Sequence, residues 1–253
     1  MRSSSVMLYR IGFVGVVLGI WEMSVRLNIL DAFFVGLPSE IIKICFQGII
    51  SGDLLYHLSI TAYETLLGFV LALLSGLSLA VIFSKSQGMK AVFMPLLVAL
   101  NSLPRIALAP LFILWFGFGL LSKILMVASV VFIIVFLNTL KAIEDVDKAL
   151  LNHAKLCGAN TLELIMHVYV PSIAVWLLTS LRASIGFSVV GAIIGEYMGS
   201  NAGIGYLIQT AQSFFRTSAL LAYMILLMLF VYIIDGLLLK IEKHFSKWQF
   251  TEI

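Results

Sequence analysis

Six ionisable side chains interrupt long apolar stretches of the sequence. They are Glu22, Glu64, Arg105, Arg182, Glu196 and Asp235. A charged side chain at the centre of a bilayer costs about 2.5–3.5 kcal/mol on insertion scales, so such residues are usually retained for a reason. They can contact a solute that crosses the membrane, or they can pair with other polar groups and hold helices together.

Arg105 has an unusual setting, because Pro95, Pro104 and Pro110 divide the apolar stretch around it. A membrane tolerates a helix broken in this way only where protein or water satisfies the freed backbone groups, so this stretch is expected to face the protein interior. Arg105 either faces a polar path through the membrane protein and meets an anionic group there, or pairs with Glu64 or Glu196. The sequence leaves these two alternatives open.

Arg182 and Glu196 are fourteen residues apart, which is about 21 Å along one helix, so they cannot pair within it. Gly186, Gly191 and Gly195 lie between them and provide a small-residue face. Close packing against another helix is favoured over pathway lining for this face. The candidate pathway residues are Pro104, Arg105, Pro110, Arg182, Ser184 and Glu196.

The remaining three charges lie near the predicted ends of apolar stretches. For Glu22 and Glu64, snorkelling to the membrane surface or a structural ion pair is the favoured interpretation. Asp235 is similar, since Lys240 and Lys243 follow it. None of these three is a pathway candidate.

The composition shows what positions these side chains. Of the 253 residues, 61% are hydrophobic and 11% charged, with a mean hydropathy of +1.09. Soluble domains carry about 45–50% apolar and about 25% charged residues, so a soluble enzyme and a disordered chain are both excluded. The net charge of +3 is dispersed and gives no footprint for nucleic acid. The sequence predicts an all-α integral membrane protein.

Six stretches of about 20 apolar residues are candidate membrane spans. They lie near 9–27, 60–84, 92–116, 122–141, 173–195 and 218–240. The third is predicted to be kinked or broken. The segment Asn28 to Ser59 is predicted to form an external helix on the membrane, and Gly199, Gly203 and Gly205 a turn or re-entrant segment.

The distribution of Lys and Arg predicts the orientation. With six alternating spans, one side holds ten cations: Arg2, Arg10, Lys85, Lys90, Lys141, Lys148, Lys155, Lys240, Lys243 and Lys247. The other side holds four, which are Arg26, Lys43, Lys123 and Arg216. Positive charge accumulates on the cytoplasmic side, so both termini are predicted to be cytoplasmic.

The longest predicted cytoplasmic segment, Lys141 to Ser172, has helical periodicity although it is polar enough to leave the membrane. Gly158 is expected to end one short helix, and Asn160 with Thr161 to begin another that has Glu163 in its first turn. Such a pair of helices is either a docking surface for a soluble partner or an ordinary linker. Periodicity alone does not decide between them.

This segment resembles the coupling-loop signature of bacterial ABC importer permeases, which is EAA, three residues, Gly, nine residues, Ile, one residue, Leu-Pro. The matching residues are Ala154, Gly158, Val168, Val170 and Pro171. The sequence departs from the signature at Asn152 and His153, which replace Glu and Ala. Losing the acidic residue puts in question any ion pair that it makes with the ATPase.

The resemblance covers roughly residues 55–240 and is closest to the nitrate/sulfonate/taurine branch of these permeases. Similar pieces are the run from Asn101 to Gly117, Gly68-Phe69, Leu181-Arg182-Ala183-Ser184, Gly195-Glu196-Tyr197 and Gly203-Ile204-Gly205-Tyr206. The resemblance implies the type I importer permease fold as a single domain over residues 1–253. It also implies location in a bacterial inner membrane and ATPase coupling through the segment 141–172. The implied coupling residues are Ala154, Lys155, Gly158, Ala159, Val168 and Pro171.

The resemblance further implies two ATPase subunits, a second permease copy, expected to be identical, and an external substrate-binding protein. No GxxxxGK[ST] loop occurs in the sequence, so ATP and Mg²⁺ are expected on the partner ATPase and no cofactor on this chain. Cys45 and Cys157 lie in no metal-binding pattern, and no metal site is expected. The chain is therefore expected to be a permease without enzymatic activity of its own.

An ATP-independent secondary transporter or channel is the alternative function. Inverted repeats mark many secondary transporters, and the two halves of this sequence show no convincing similarity. The resemblance favours a small anionic solute, such as a sulfonate, taurine or nitrate. Arg105 and Arg182 would supply positive charge at membrane depth.

Overall fold

The computed structural model describes residues 3–246, and among them it contains helices and no β-strand. The α-helices are α1 Ser3–Arg26, α2 Ala32–Val35, α3 Pro38–Ile50, α4 Asp53–Ser84, α5 Gln87–Asn101, α6 Ala109–Phe116, α7 Leu120–Glu144, α8 Lys148–Leu156, α9 Thr161–Leu164, α10 Val170–Gly199, α11 Ile204–Ser213 and α12 Thr217–Ser246. A 3₁₀ turn, Arg105–Leu108, precedes α6, and a π-helical turn, Ile165–Tyr169, joins α9 to α10.

In the described part of the chain, four helices are long and apolar enough to cross a membrane, at Asp53–Ser84, Leu120–Glu144, Ser180–Gly199 and Thr217–Lys240. A fifth is obtained if Gln87–Asn101 and Arg105–Phe116, which meet at 94°, form one broken span. This bend confirms the predicted break in the third span. The first predicted span corresponds to the 24-residue helix α1, which is not among these five, so the count of six stays a prediction.

Local sequence explains where the shorter helices begin. Pro38 occupies the first turn of α3, where its missing N–H costs nothing. Ser86 caps α5 by accepting a hydrogen bond from the Met89 amide. α2 and α3 occupy the predicted external helical segment, and α4 begins at Asp53, seven residues before the predicted span. Arg2 and Lys247, which entered the orientation argument, lie outside the described residues.

The chain forms two compact units. One consists of the described residues up to Ile60 together with Asn201–Phe230, and the other of Thr61–Ser200 with the described residues from Val231 onward. In the second unit, α7 packs against α4 and α10 around a core of small and β-branched side chains. The core residues are Ala72, Val127, Ala128, Val131, Val135 and Ala192.

Two glycines allow this close packing. A Cβ atom on Gly68 of α4 would lie 2.4 Å from Val127 Cβ, and one on Gly191 of α10 would lie 2.9 Å from Val127 Cα. Neither distance is possible for real atoms without a shift of the helices. Small residues at these positions therefore bring both helices close to α7.

Polar contacts hold the first unit together. Glu22 accepts hydrogen bonds from the Arg26 side chain at 2.7 Å and from the Ser39 hydroxyl at 2.8 Å, so it forms the structural pair expected for it. Ser218 donates to Glu40 at 2.6 Å and joins α3 to α12. The Gly203 amide donates to Nδ1 of the buried His57 at 2.9 Å.

Candidate functional site

The segment between α7 and α10 forms a helix, a glycine turn and a second helix start, as the sequence predicts. Asp147 caps α8 by accepting a hydrogen bond from the Ala149 amide at 2.7 Å. Gly158 then adopts a φ of +86°, a conformation that residues with a Cβ rarely enter. Asn160 and Glu163 form a reciprocal capping box at the start of α9.

This turn presents apolar side chains outward. Leu156, just before it, is 87% exposed, and Leu162, just after it, is 68% exposed. Leu150, Ile165 and Met166 are also exposed. A shallow groove of about 380 Å³ adjoins these residues and is lined by Ala154, Cys157, Gly158, Ala159, Glu163, His167 and Val168. An exposed apolar surface beside a groove is suited to contact with another protein.

The structure distributes the predicted coupling residues over the two faces of the segment. Lys155 and Pro171 are exposed, Ala154 and Ala159 are half-buried, and Val168 is buried. Four of the six, Ala154, Gly158, Ala159 and Val168, line the groove. Their part in coupling stays a prediction.

The second short helix differs from the prediction in one respect. It does not end before the membrane, because α9 continues through the π-helical turn into α10 without a break. The Val170 amide bonds to the Ile165 carbonyl, five residues back. Pro171 follows at once and has no N–H to donate, which accounts for an irregular helix at this point.

Arg105 is half-buried and bonded within its own region. Its guanidinium donates to the Ser129 carbonyl of α7 and to Asn101 Oδ1 of α5 at 2.9 Å. Pairing with Glu64 or Glu196 is therefore a wrong alternative, since neither carboxylate is its partner. Pro104 and Pro110 flank it and are exposed in the single chain. These contacts leave the pathway role of Arg105, Pro104 and Pro110 a prediction.

Arg182 and Asp235 form a bidentate ion pair between α10 and α12. The two distances are 2.6 Å from Nε to Oδ1 and 2.8 Å from Nη2 to Oδ2. Asp235 is thus in a structural pair, which was one of the two alternatives considered for it. Arg182 was predicted as a pathway residue on its charge, and that charge is bound by a carboxylate here.

Glu64 and Glu196 are almost completely buried, at 2% and 1% exposure. Lys123 Nζ lies 2.7 Å from Glu64 Oε1 and 2.7 Å from Ser200 Oγ. Thr61 donates to Glu196 Oε1 at 2.7 Å. Glu64 therefore has the structural pair expected for it, and the pathway candidate Glu196 lies inside the packed helices of this chain.

Lys123, which was counted among the external cations, is an ion-pair partner inside the protein. It lies in the first turn of α7 and is 8% exposed, because its ammonium group reaches Glu64. The available signal was its position directly before the apolar run that begins at Ile124. Removing it from the count leaves three cations on the external side, against ten on the other.

The sequence favoured close packing of the small-residue face of α10 against another helix. Two of its three glycines do pack in this way against α7. Cβ atoms on Gly191 and Gly195 would meet Val127 and Lys123 of α7, whereas one on Gly186 would meet nothing within 4 Å. Ser184 is fully buried and donates to the Ser180 carbonyl at 2.8 Å. Its predicted place on a pathway is not tested by these contacts.

His57 was missed as a structural residue. It lies at the start of α4, and its ring stacks on that of Tyr206, with centroids 6.0 Å apart. The described residues contain no group of three or more His, Cys, Asp or Glu side chains that would hold a metal ion.

Comparison with known proteins shows the family to which this chain belongs. The model for the binding-protein-dependent transport system inner membrane component matches residues 28–247. The chain belongs to this family. The match begins before the region of about 55–240 in which the resemblance was seen, and it includes α3 and all of α12.

Several curated members of the family are similar to this chain over most of its length. A putative aliphatic sulfonates transport permease of Bacillus subtilis is 32% identical and covers 92% of this chain and 85% of its own. A riboflavin transport permease of Chloroflexus aurantiacus is 32% identical over 90% of this chain and 85% of its own. The taurine transport permease of Escherichia coli is 23% identical over 94% and 89%.

Among solved structures, the MetNI methionine ABC transporter in an inward-facing conformation matches with a TM-score of 0.61. It is 17% identical and covers 81% of this chain and 97% of its own, which shows a shared fold. Family and fold together make the chain a multi-pass inner-membrane permease component of an ABC importer. The ATP-independent alternative is not favoured.

Proposed function

We propose that this permease couples to its ATPase through the segment 141–172. The observation that carries the proposal is the Gly158 turn, which exposes Leu156 and Leu162 beside the groove. In the proposed contact, Ala154, Lys155, Gly158, Ala159, Val168 and Pro171 form or support the docking surface. Apolar contact and turn geometry take the place of the acidic residue that Asn152 replaces.

The proposed assembly contains two permease copies, which are identical, two ATPase subunits and an external substrate-binding protein. Its support is that a single chain with four or five membrane-spanning helices among the described residues provides a thin wall for a solute path, which a two-fold pair would close. The ATPase subunits hold ATP and Mg²⁺. This chain contributes no cofactor site and no ATPase site, in keeping with its lack of a GxxxxGK[ST] loop.

The proposed solute is a small anion of the sulfonate, taurine or nitrate type. The names of two similar permeases concern sulfonates and taurine, although others concern riboflavin and formylaminopyrimidine. Arg105 is the residue proposed to meet the anion, because Arg182 is bound by Asp235. Arg105 is half-buried beside a helix break, where backbone groups also become available.

The proposed topology places both termini in the cytoplasm and treats residues 1–253 as one permease domain. The Lys and Arg distribution supports this topology, and the correction at Lys123 increases the asymmetry. The exposed segment 141–172 then lies on the cytoplasmic side, where an ATPase can reach it.

Solute uptake by the reconstituted transporter tests the pathway role of Arg105. Arg105→Gln should reduce sulfonate uptake several-fold, while complex yield and basal ATP hydrolysis stay near the wild-type values, and Arg105→Lys should retain part of the uptake. Loss of yield or thermal stability would instead assign Arg105 to structure alone, through Ser129 and Asn101. Mass measurement in mild detergent tests the assembly, and a transport-competent complex with one permease chain would contradict it.

A further inference from the structure

The buried cluster of Glu64, Lys123 and Glu196 contains two carboxyl groups and one ammonium group. The three side chains come from α4, α7 and α10, and each is more than nine-tenths buried. Lys123 binds Oε1 of Glu64 at 2.7 Å. Thr61, which lies one turn before Glu64 on α4, donates to Glu196 Oε1 at 2.7 Å, so the two carboxyl groups lie near one another.

The second oxygen of Glu64, Oε2, is a buried acceptor that no hydroxyl, amide or ammonium group reaches. A buried acceptor without a donor is costly, and the Glu196 carboxyl beside Thr61 is a nearby group that could supply one. An ionised carboxylate only accepts hydrogen bonds, whereas a protonated one also donates. A hydrogen bond between two carboxyl groups therefore requires one proton.

From this geometry we infer that Glu64 and Glu196 hold one proton between them, so that the cluster is a proton-binding site inside the membrane domain. Glu64 is the carboxylate that faces Lys123, and Glu196 is the acid. One oxygen of Glu196 accepts the Thr61 hydroxyl, and the acid proton is donated to Glu64. The three side chains then carry no net charge, which suits their place in apolar surroundings.

The site ties α4, α7 and α10 together through the Lys123–Glu64 and Thr61–Glu196 contacts. Ser200 directly follows α10 and also bonds to Lys123. The end of α10 is therefore held to α7 through the same lysine.

Infrared difference spectroscopy of the purified transporter at neutral pH tests the inference. The wild-type spectrum minus that of Glu196→Gln should show the loss of one protonated carboxyl C=O band, which shifts in D₂O. Glu64→Gln should give the same loss, because Glu196 then ionises beside Lys123. Glu144→Gln is the matched control, since Glu144 is partly exposed and paired with Lys90, and it should cost a carboxylate band.

A carboxylate band lost in the Glu196→Gln difference spectrum would overturn the inference, because both groups would then be ionised. Thermal stability provides a second measurement. The amide of Glu196→Gln imitates the neutral acid and should leave the melting temperature of the complex unchanged, whereas Glu196→Ala should lower it by several degrees. Equal losses in the two variants would also overturn the inference.

Discussion

Arg182 donates two parallel hydrogen bonds to the carboxylate of Asp235, and this pair links α10 to α12 within the apolar part of the chain. Bidentate arginine–carboxylate pairs have fixed geometry and are among the stronger polar contacts in proteins. Each charge is held by the other, so neither is available on its own. The pair therefore has a structural role, which is to fasten α10 to α12.

Asp235→Asn should weaken this fastening, because it leaves the Arg182 charge without its counter-ion at membrane depth. We expect a lower yield and melting temperature of the complex, and the exchanged pair Arg182→Asp with Asp235→Arg should restore most of the loss. Thermal melts in detergent measure both. Full stability of the Asp235→Asn single variant would show that the pair is dispensable.

Gly158→Val should disrupt coupling, because a β-branched residue at φ +86° costs about 1–3 kcal/mol of backbone strain. Membrane insertion should be unaffected, while ATPase co-purification and transport-coupled hydrolysis fall sharply. Gly158→Asn is the graded control, since Asn tolerates positive φ and should retain most of the association. A Cβ here meets no atom within 4 Å, so the effect is conformational and not a clash. Normal transport by the valine variant would remove this segment from the docking role.

Gly191→Ala and Gly186→Ala should have opposite effects, although they are neighbouring glycines of one helix. A methyl group at 191 meets the Val127 backbone at 2.9 Å, whereas one at 186 meets nothing. Gly186→Ala should be neutral or stabilise by up to about 1 kcal/mol through helix propensity. Gly191→Ala should destabilise by about 1–3 kcal/mol through overpacking, as seen in melting temperature. Equal behaviour of the two variants would contradict the packing of α10 on α7.

Lys123→Met should destabilise the protein by about 3–5 kcal/mol, because it leaves the buried Glu64 carboxylate without its cation. The double variant Lys123→Met with Glu64→Gln removes both charges and should recover most of that loss. Expression level and melting temperature report the difference. If the double variant were as unstable as the single one, the ion pair would not be the cause.

The two native cysteines should react at very different rates with a water-soluble maleimide. Cys157 is exposed beside the Gly158 turn, so it should label quickly in the isolated permease and be protected when the ATPase is bound. Cys45 is half-buried, its thiol donates to the Ala222 carbonyl, and burial raises the pKa of that thiol. A higher pKa means less reactive thiolate at neutral pH, so Cys45 should label slowly in both states. Labelling of Cys157 that is unchanged by the ATPase would contradict docking at this turn.

Much of the fold was predictable because its determinants are local. The Gly158 turn and the Asn160 cap follow from residue types within a few positions of each other, and the bend in the third span follows from its prolines. The segment 141–172 was identified as a candidate coupling segment by its resemblance to the permease signature, and its role in coupling stays a prediction. These features depend on backbone preferences that follow directly from the residue types.

The ion pairs were not predictable to the same degree, because they join residues far apart in sequence. Glu64 finds Lys123 across 59 positions, and Arg182 finds Asp235 across 53. Apolar periodicity identifies the helices but does not show which of their faces meet. For this reason Glu64 and Glu196 were wrongly considered as partners of Arg105. The continuation of α9 into α10 was missed for another reason, since Pro171 suggests a fresh helix start and a π-helical turn has no sequence signal of comparable strength.

The unbroken run from Thr161 to Gly199 makes the chain's exposed turn one end of a lever. Thirty-nine residues of helix measure about 58 Å, so a tilt of about 5° at the docking end displaces the far end by about 5 Å. Glu196 lies one turn from that far end. A small tilt of the helix where the ATPase is proposed to bind would therefore cause its largest displacement near the buried carboxyl pair.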